Sequence, residues 1–174
     1  GYDWIFDIFE DREGNLWFAS MGSGVWKHNP QANSFEKYIN KEGEPNSLSS
    51  NSVSSVMQDS KGRIWLSTDR GGICRYNAET NDFTSFSIKE GLPDDVAYEI
   101  LEDDAHNLWF GTNKGLVKFN PETKDIHVFT TKDGLLGNQF NYKSALKVGD
   151  GRFFFGGING LIAFDPNISR QQLA

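Results

Sequence analysis

A five-residue phrase recurs four times along this chain of 174 residues. It reads GNLWF, GRIWL, HNLWF and GRFFF, and the copies begin at positions 14, 62, 106 and 151. The spacings between their central aromatic residues are 48, 44 and 45, and those residues are Trp17, Trp65, Trp109 and Phe154. A second landmark of the type GVWKHN follows each copy and keeps a similar period. A period near 45 residues predicts a repeat architecture, either a propeller or a solenoid.

The inside of each repeat decides between these two architectures. Each full repeat holds four short stretches, here called strands A to D, which are bounded by Gly, Asn, Asp or Pro. Strands A and B are apolar on both faces, as in a sheet that lies between two others, whereas strand D is more polar and suits an outer edge. Four antiparallel strands in a repeat of about 45 residues are typical of a β-propeller blade.

We therefore predict an all-β fold of about four four-stranded antiparallel blades, at residues 4–38, 52–86, 95–129 and 140–168. The fourth repeat has no aromatic strand D, so its blade is expected to lack the outer strand. Residues 1–174 would form a single partial propeller, and the chain, which begins without Met, is read as a piece of a longer protein. An open arc exposes a bare blade face at each end, so self-association, for instance as a homodimer, is expected.

Charge and cysteine content exclude several classes of protein. The net charge of −7 and the isoelectric point near 4.9 argue against a nucleic-acid partner and against an anionic membrane surface. The chain contains no apolar run of 18 residues, so no direct membrane insertion is expected. Its single cysteine, Cys74, cannot form an internal disulfide, and we interpret it as a buried apolar residue.

The residue types that carry metal or catalytic chemistry fall within the repeat scaffold. Asp11, Asp59 and Asp103 each precede the phrase by a fixed distance, which indicates capping of the A–B turn rather than a calcium loop. The central tryptophans recur in three blades and are expected in the core. The three histidines share no spacing typical of a zinc site, and no pair of carboxylates suits a glycosidase. We predict no catalytic residue, no metal and no cofactor.

Ligand contacts are expected where the repeats differ, on the B–C and D–A loops at one end of the blades. Polar side chains on these loops can bind sugar hydroxyls or carboxylates, and Arg70 with Lys114 would suit an acidic or sulfated glycan. The alternative is that the loops are only solvated or contact a neighbouring domain. The candidate ligand-binding residues are Met21, Asp69, Arg70, Asn113, Lys114, Asn138, Gln139, Asn141 and Asn159.

The repeat also resembles a known family. The motif ED-x-x-G-N-L-W-F, followed by G-L-x-K-F-N-P and then by F-T-x-x-D-G-L, is similar to the two-component regulator propeller repeat over nearly all of residues 4–166. The segment FGGINGLIAFDP at 155–166 looks like the last blade before an immunoglobulin-like domain. In that family such repeats form seven-bladed propellers in the periplasmic sensors of bacterial hybrid two-component systems, especially in Bacteroidetes.

The resemblance implies a non-catalytic function for this segment. It would belong to the periplasmic ectodomain of an inner-membrane protein, bind a polysaccharide fragment and signal to a histidine kinase outside this chain. Its partners would be an oligosaccharide, the remaining blades and the immunoglobulin-like domain. Two alternatives stay open, namely a fragment of a propeller-scaffold enzyme, such as a lyase or glycosidase, and a stand-alone interaction propeller.

Overall fold

The computed structural model describes residues 4–167, which form four antiparallel sheets arranged as consecutive propeller blades. Blade one contains β1 (Ile5–Glu10), β2 (Leu16–Ser20), β3 (Val25–Asn29) and β4 (Ser34–Tyr38). Blade two contains β5 (Val53–Gln58), β6 (Ile64–Thr68), β7 (Ile73–Asn77) and β8 (Asp82–Phe86). Blade three contains β9 (Ala97–Glu102), β10 (Leu108–Thr112), β11 (Gly115–Phe119) and β12 (Ile126–Phe129). Blade four contains β13 (Phe140–Lys147), β14 (Phe153–Gly157) and β15 (Gly160–Phe164).

Within each sheet the strands follow chain order and pair with their sequence neighbours. This meander confirms the predicted all-β propeller fold with strands A to D in order. Among the described residues blade four has three strands, and its predicted end at residue 168 lies outside them. The connections B–C and D–A lie at one end of the blades, here called the upper face, and the turns A–B and C–D lie at the other, the lower face.

Apolar side chains fill the seams between neighbouring blades. Trp17 and Phe83 belong to the cluster between blades one and two, Trp65 and Phe119 to the next, and Trp109 to the third. The three tryptophans are buried, as predicted for the centre of each phrase. Strands A and B are apolar on both faces because each inner sheet packs against two neighbours, and this burial is the main term that stabilises the arc.

In blades one to three a buried carboxylate holds the A–B turn to the tryptophan of the same blade. In blade one the Asp11 carboxylate accepts hydrogen bonds from the amides of Glu13 (3.1 Å) and Asn15 (2.8 Å) and from Trp17 Nε1 (2.9 Å). Asp59 and Asp103 accept equivalent bonds in blades two and three. The predicted turn-capping role of these aspartates is confirmed, and the bond from the indole was not predicted.

The fourth blade shows why this arrangement is a unit. Phe154 stands where the other blades have tryptophan, and Val148 stands where they have aspartate. The side chain of phenylalanine has no N–H group. A carboxylate buried at position 148 would therefore lack the hydrogen bond that the indole donates in the other blades, and which offsets part of the cost of desolvation. The turn instead uses Asp150, whose side chain accepts from the Arg152 amide at 3.1 Å and from Arg152 Nε at 2.8 Å.

Small residues in strand B let the neighbouring inner strand approach. The equivalent positions in the four blades are Ala19, Ser67, Gly111 and Gly156. A Cβ atom added at Gly111 would lie 2.4 Å from the Cβ atom of Phe140 in blade four. The sequence uses a small residue here because the blade-to-blade distance leaves no room for a larger one.

The D–A connections repeat one clamp on the upper face. The carbonyls of Asn51, Asp95 and Asn138 each accept a hydrogen bond of 2.7 Å, from the amides of Gly24, Gly72 and Gly115 respectively. The side-chain oxygens of the same three residues accept amides of the preceding loops at 2.7 to 2.8 Å. Two of these loops contain one-turn 3-10 helices, at Ile88–Glu90 and Thr131–Asp133, each with a capping box.

The two end blades expose apolar side chains. Ile8 is 64% exposed on the free face of blade one, and Leu146 and Leu161 are each 57% exposed on blade four. An apolar face of this kind is normally covered in a larger assembly. In the described part of the chain, none of the helices has the length and apolar character needed to cross a membrane.

Candidate ligand site at the channel mouth

The four strands A line the inner side of the arc. β1 packs against β5, β5 against β9 and β9 against β13, so their first residues surround the upper mouth of a central channel. Three aromatic rings meet there. The Tyr98 and Tyr142 rings lie edge to face with their centroids 4.8 Å apart, and the Phe6 ring meets Tyr142 edge to face at 5.4 Å. These rings give the mouth an aromatic wall formed by blades one, three and four.

A hydrogen-bonded chain connects this wall to the loops of blade three. The Tyr98 hydroxyl donates to Asn113 Oδ1 at 2.6 Å. The backbone N–H of Asn113 in turn donates to Asp94 Oδ2 at 3.2 Å. Asn113 is held by a strand on one side and by the D–A connection on the other, so its carboxamide has a defined orientation at the mouth.

The charges of Asp69 and Arg70 reach the same tyrosines from blade two. Burial, the Tyr142 hydroxyl and the Asp94 and Asp69 carboxylates together raise the pKa of Tyr98 to about 12. Burial and the Asp69 carboxylate also raise the pKa of Tyr142, whereas the Arg70 guanidinium opposes that shift. The B–C loop of blade two therefore places one anion and one cation within electrostatic range of the aromatic wall.

Arg70 occupies an unusual backbone conformation. Its φ is +70°, in the left-handed region, where blade one has Gly22 at +111°. A non-glycine residue in this region costs of the order of 1 kcal/mol, and such strain often accompanies functional positions. The Arg70 side chain is 86% exposed, and its Nε lies 3.9 Å from Asp69 Oδ1. Its guanidinium is therefore available to a ligand.

A charged bridge lies next to the aromatic wall on the same inner strands. Lys143 Nζ of blade four contacts Asp7 Oδ1 of blade one at 2.8 Å and Glu99 Oε1 of blade three at 3.6 Å. The two carboxylates also join adjacent inner strands, because Asp7 accepts the Val56 amide at 3.0 Å and Glu99 accepts the Ala145 amide at 3.3 Å. These contacts hold the inner strands together around the channel.

The structure brings together some of the sequence-predicted ligand residues and separates others. Asn113 contacts Tyr98, and the charges of Asp69 and Arg70 act on Tyr142 from the B–C loop of blade two, as described above. The remaining candidates make local contacts. Met21 forms an isolated β-bridge with Ser52, Lys114 has an exposed side chain, and Asn159 packs against Gly137.

Of three further candidates, Asn138 and Gln139 belong to the last D–A connection, whereas Asn141 is the second residue of β13. The Asn138 side chain accepts the Thr131 amide at 2.8 Å as part of the repeated clamp. Gln139 is exposed, and its carbonyl accepts the Ile158 amide at 3.2 Å. Asn141 is exposed. The side chain of Asn138 is thus engaged by the scaffold, whereas those of Gln139 and Asn141 lie open on the upper face.

Sequence reasoning missed Phe6, Asp94, Tyr98 and Tyr142. The signal was available in the repeat frame, because Phe6, Ser54 and Tyr98 occupy equivalent positions in strand A and differ between blades. Positions that vary between blades are candidate ligand contacts on the inner strands as well as on the loops, because the first residues of strands A also face the channel mouth.

The histidines stand apart from this site. His28 stacks on Phe35 with ring centroids 4.2 Å apart, His106 lies in an A–B turn beside Glu102, and His127 is exposed on β12. Across residues 4–167, the structure holds no group of three or more His, Cys, Asp or Glu side chains placed to bind a metal ion. The mouth itself offers hydrogen-bonding groups, aromatic rings and the exposed guanidinium of Arg70.

Comparison with known sequences finds a match to the repeat in three segments of the chain. The family model described as two component regulator propeller matches residues 1–22, 47–70 and 91–114. A curated relative, Histidine kinase P4 of Formosa agariphila, is 31% identical over 71 residues, which are 41% of this chain and 5% of the relative. The matched segments contain the A–B turn and the phrase of blades one to three.

Solved structures from Bacteroides thetaiotaomicron share the fold. The extracellular domain of one hybrid two-component system superposes with a TM-score of 0.84 at 29% identity, covering 98% of this chain and 23% of that one. The extracellular domain of a second hybrid two-component system gives a TM-score of 0.77 at 26% identity, covering 95% of this chain and 23% of that one. This chain therefore spans about a quarter of each of these structures and a small part of the curated relative.

Proposed function

Because the chain carries two-component regulator propeller repeats, we propose that it is a non-catalytic, ligand-sensing arc in the periplasmic ectodomain of a hybrid two-component regulator. The ligand is a polysaccharide fragment, bound at the channel mouth. Binding is signalled to a histidine kinase encoded elsewhere in the parent protein. The observation that carries this proposal is the contact of Tyr98 with both Asn113 and Tyr142 at one mouth, in a fold shared with extracellular domains of hybrid two-component systems.

The composition of the mouth supports a sugar ligand. Aromatic faces stack against the C–H faces of sugar rings, and amide and carboxylate groups bind hydroxyls in fixed directions. Tyr98 and Asn113 are pre-organised by their mutual hydrogen bond of 2.6 Å. The exposed guanidinium of Arg70 adds a bidentate donor for a carboxylate or sulfate. An acidic or sulfated oligosaccharide has the ring faces, hydroxyls and anionic groups that could bind to all of these side chains.

The exposed end faces support further blades in the parent protein. Ile8 at one end and Leu146 with Leu161 at the other would pack against neighbouring blades as the internal seams do. We propose that these faces are covered by additional blades, with seven in the complete ring, and by the following immunoglobulin-like domain. Such an assembly would transmit a change at the mouth through rigid blade contacts.

The principal alternative is a propeller enzyme of the lyase or glycosidase type. A lyase from Staphylococcus aureus shares the fold with a TM-score of 0.66 at 13% identity, and at that identity the likeness concerns the fold alone. The ionisable side chains at or beside this mouth include Asp69, Arg70, Asp94 and the two tyrosines, and Asp7 and Glu99 beside it are paired with Lys143. Tyr98 stays protonated at neutral pH because its pKa is about 12, so it would not act as a base there.

The proposal is tested with the complete ectodomain and a panel of neutral, acidic and sulfated oligosaccharides, measured by isothermal titration calorimetry. We expect binding of one acidic or sulfated class. Arg70→Ala should weaken that binding at least tenfold while leaving stability unchanged, because alanine keeps the Cβ atom in the same backbone conformation. Lys37→Ala is the matched control, because Lys37 lies on the outer strand of blade one. Binding that survives both Arg70→Ala and Tyr98→Phe would exclude the channel mouth as the site.

A further inference from the structure

The inner strand of blade four is two residues longer than those of the two blades before it. The D–A clamp and the A–B turn provide a fixed reference point at each end of the strand. In blade three, Asp103 of the turn stands eight residues after Asp95 of the clamp, and the same count holds in blade two. In blade four, Val148 stands ten residues after Asn138. The fourth repeat therefore carries an insertion in the strand that lines the channel.

The pairing of β13 with β14 locates the insertion. Phe140 and Ala145 of β13 both pair with β14, and five residue steps on β13 correspond to only two on β14. The equivalent interval of blade three takes three steps on β9 against two on β10. The extra residues therefore lie between Phe140 and Ala145. We call residues 141–144 the blade-four bulge, and it contains Tyr142 and Lys143.

The bulge has a strained backbone and a close-fitting base. Lys143 has a φ of +50°, whereas the other non-glycine residues with positive φ among residues 4–167 lie in turns and loops. Strain of this kind persists where surrounding contacts fix the backbone, and it is frequent at functional sites. A Cβ atom added at Gly156 would lie 3.0 Å from the Cβ atom of Ser144, so the glycine leaves room for the bulge.

Lys143 reaches from the bulge to two other blades. Its Nζ lies 2.8 Å from Asp7 Oδ1 of blade one and 3.6 Å from Glu99 Oε1 of blade three. The side chains of Asp7 and Glu99 are only 12% and 25% exposed, and the second oxygen of each accepts a backbone amide. The two carboxylates are therefore fixed points, and the lysine ties the bulge to both of them.

Tyr142 directly precedes this lysine and forms the centre of the aromatic wall. Its ring meets the Tyr98 ring of blade three at 4.8 Å and the Phe6 ring of blade one at 5.4 Å, between centroids. The rings and the charged bridge thus join the same three blades through two successive residues of the bulge. Fixing the backbone of Lys143 also fixes where the neighbouring ring can lie.

We propose that Lys143 is a positioning residue of the ligand site, because its bridge to Asp7 and Glu99 holds the Tyr142 ring at the channel mouth. The role toward a ligand rests on the proposed function. Two carboxylates face one ammonium group, so one negative charge remains beside the rings. An acidic group of the ligand is therefore directed away from the bridge and toward Arg70, while a sugar face lies on the Tyr142 ring.

The first test is fluorine NMR of the full chain with fluorotyrosine introduced at position 142 alone. The signal is sensitive to the two rings that meet Tyr142. Lys143→Met keeps the length of the side chain but removes its charge, and should move the signal most of the way to its position in the urea-unfolded chain. Lys143→Arg keeps the charge and should leave the signal in place. An unmoved signal in Lys143→Met would overturn the proposal.

Two further variants separate positioning from a general loss of order. Lys147→Met removes the same charge from the same strand, where Lys147 pairs with Asp104 at 2.8 Å, and should leave the signal unchanged. Equal displacement in Lys143→Met and Lys147→Met would refute the assignment. Asp7→Asn weakens the bridge from blade one without altering blade four and should move the signal in the same direction as Lys143→Met. Unaltered far-ultraviolet circular dichroism shows that each variant is folded.

The second test is calorimetry of the complete ectodomain with the panel of neutral, acidic and sulfated oligosaccharides. Lys143→Met should weaken the binding of the active panel member about tenfold, because the ring is no longer pre-organised, whereas Lys147→Met should leave it unchanged. Unchanged affinity in Lys143→Met would overturn the positioning role. If the unsubstituted ectodomain binds no member of the panel, the proposed function is wrong, and the fluorine signal still decides whether Lys143 holds Tyr142.

Discussion

The bond between Asp11 and Trp17 offers a measurable test of how each blade is fastened. Asp11 is 6% exposed and accepts hydrogen bonds from two backbone amides, from the Asn15 carboxamide and from the indole at 2.9 Å. Hydrogen bonds to a buried charged group contribute about 1.5–3 kcal/mol each. We expect Asp11→Asn to lower the free energy of unfolding by about 3 kcal/mol. The new NH2 group of asparagine would face N–H donors, from which it cannot accept hydrogen bonds.

A double-mutant cycle separates the indole bond from the loss of the ring. Trp17→Phe removes the N–H but also changes the packing against Tyr38 and Tyr76. The packing cost is common to the single and double variants and cancels in the cycle. The coupling energy between Asp11→Asn and Trp17→Phe should be about 2 kcal/mol.

The assay is urea denaturation followed by far-ultraviolet circular dichroism, since tryptophan fluorescence changes with the substitution. Asp150→Asn is the control, because this turn carboxylate is 55% exposed and should cost less than about 0.5 kcal/mol. A coupling energy below about 0.5 kcal/mol, the usual limit of additivity, would refute the view that aspartate and tryptophan act as a unit.

The same contact predicts a dependence on pH. Burial alone would raise the pKa of Asp11, but the hydrogen bonds from Trp17, Asn15 and Glu13 together lower it below the ordinary value of 3.8. A carboxylate whose pKa is lower in the folded state stabilises the fold fully above its unfolded pKa. That contribution disappears as the pH falls through the folded pKa. The coupling energy should therefore be full at pH 7 and shrink below about pH 4.

Three further predictions follow from the packing and charges. Gly111→Ala should destabilise the chain by about 1–3 kcal/mol in urea denaturation, because the new methyl group meets an aromatic side chain at 2.4 Å, whereas Gly149→Ala, with nothing within 4 Å, should change stability by less than about 0.5 kcal/mol. The pKa of about 12 at Tyr98 predicts that stability falls between about pH 10 and 12, where the unfolded phenol ionises first. In urea denaturation Tyr98→Phe should make this fall smaller without abolishing it, because the pKa values of Tyr38 and Tyr142 are also raised in the folded state. Replacing Ile8 and Leu146 by Lys should reduce self-association in analytical ultracentrifugation. If the unsubstituted chain is already monomeric, the prediction that the apolar end faces cause self-association is wrong.

Much of the fold could be predicted from the sequence because the same pattern of apolar residues and turn residues recurs in each blade. The period of the phrase defined the blades, and the spacing of its turns defined strands A to D. The burial of Trp17, Trp65 and Trp109 followed from their recurrence, since a residue needed in each seam recurs with the seam. The sequence also contains a sign of the pairing between Asp11 and Trp17, because both positions change together in the fourth copy, where they are Val148 and Phe154.

The candidate sites could be predicted only in part. Asp69, Arg70 and Asn113 were expected on the B–C loops of the upper face, and the structure places these loops there because loop position follows from strand order. That Asn113 is bound by Tyr98 depends on the distance between a loop and a strand of one blade, and the contact of Tyr98 with Tyr142 depends on two separate blades. No local pattern encodes such distances, because they result from the curvature of the whole arc.

The sequence by itself determined that this chain folds into antiparallel blades with buried tryptophan seams, since hydrophobic period and turn chemistry are local properties. Only the tertiary structure decided which variable residues meet. It placed Lys143 of the last blade against Asp7 of the first, 136 residues apart in sequence. That outcome depends on how neighbouring blades are oriented, which is decided by the packing of the complete arc and not by any single repeat.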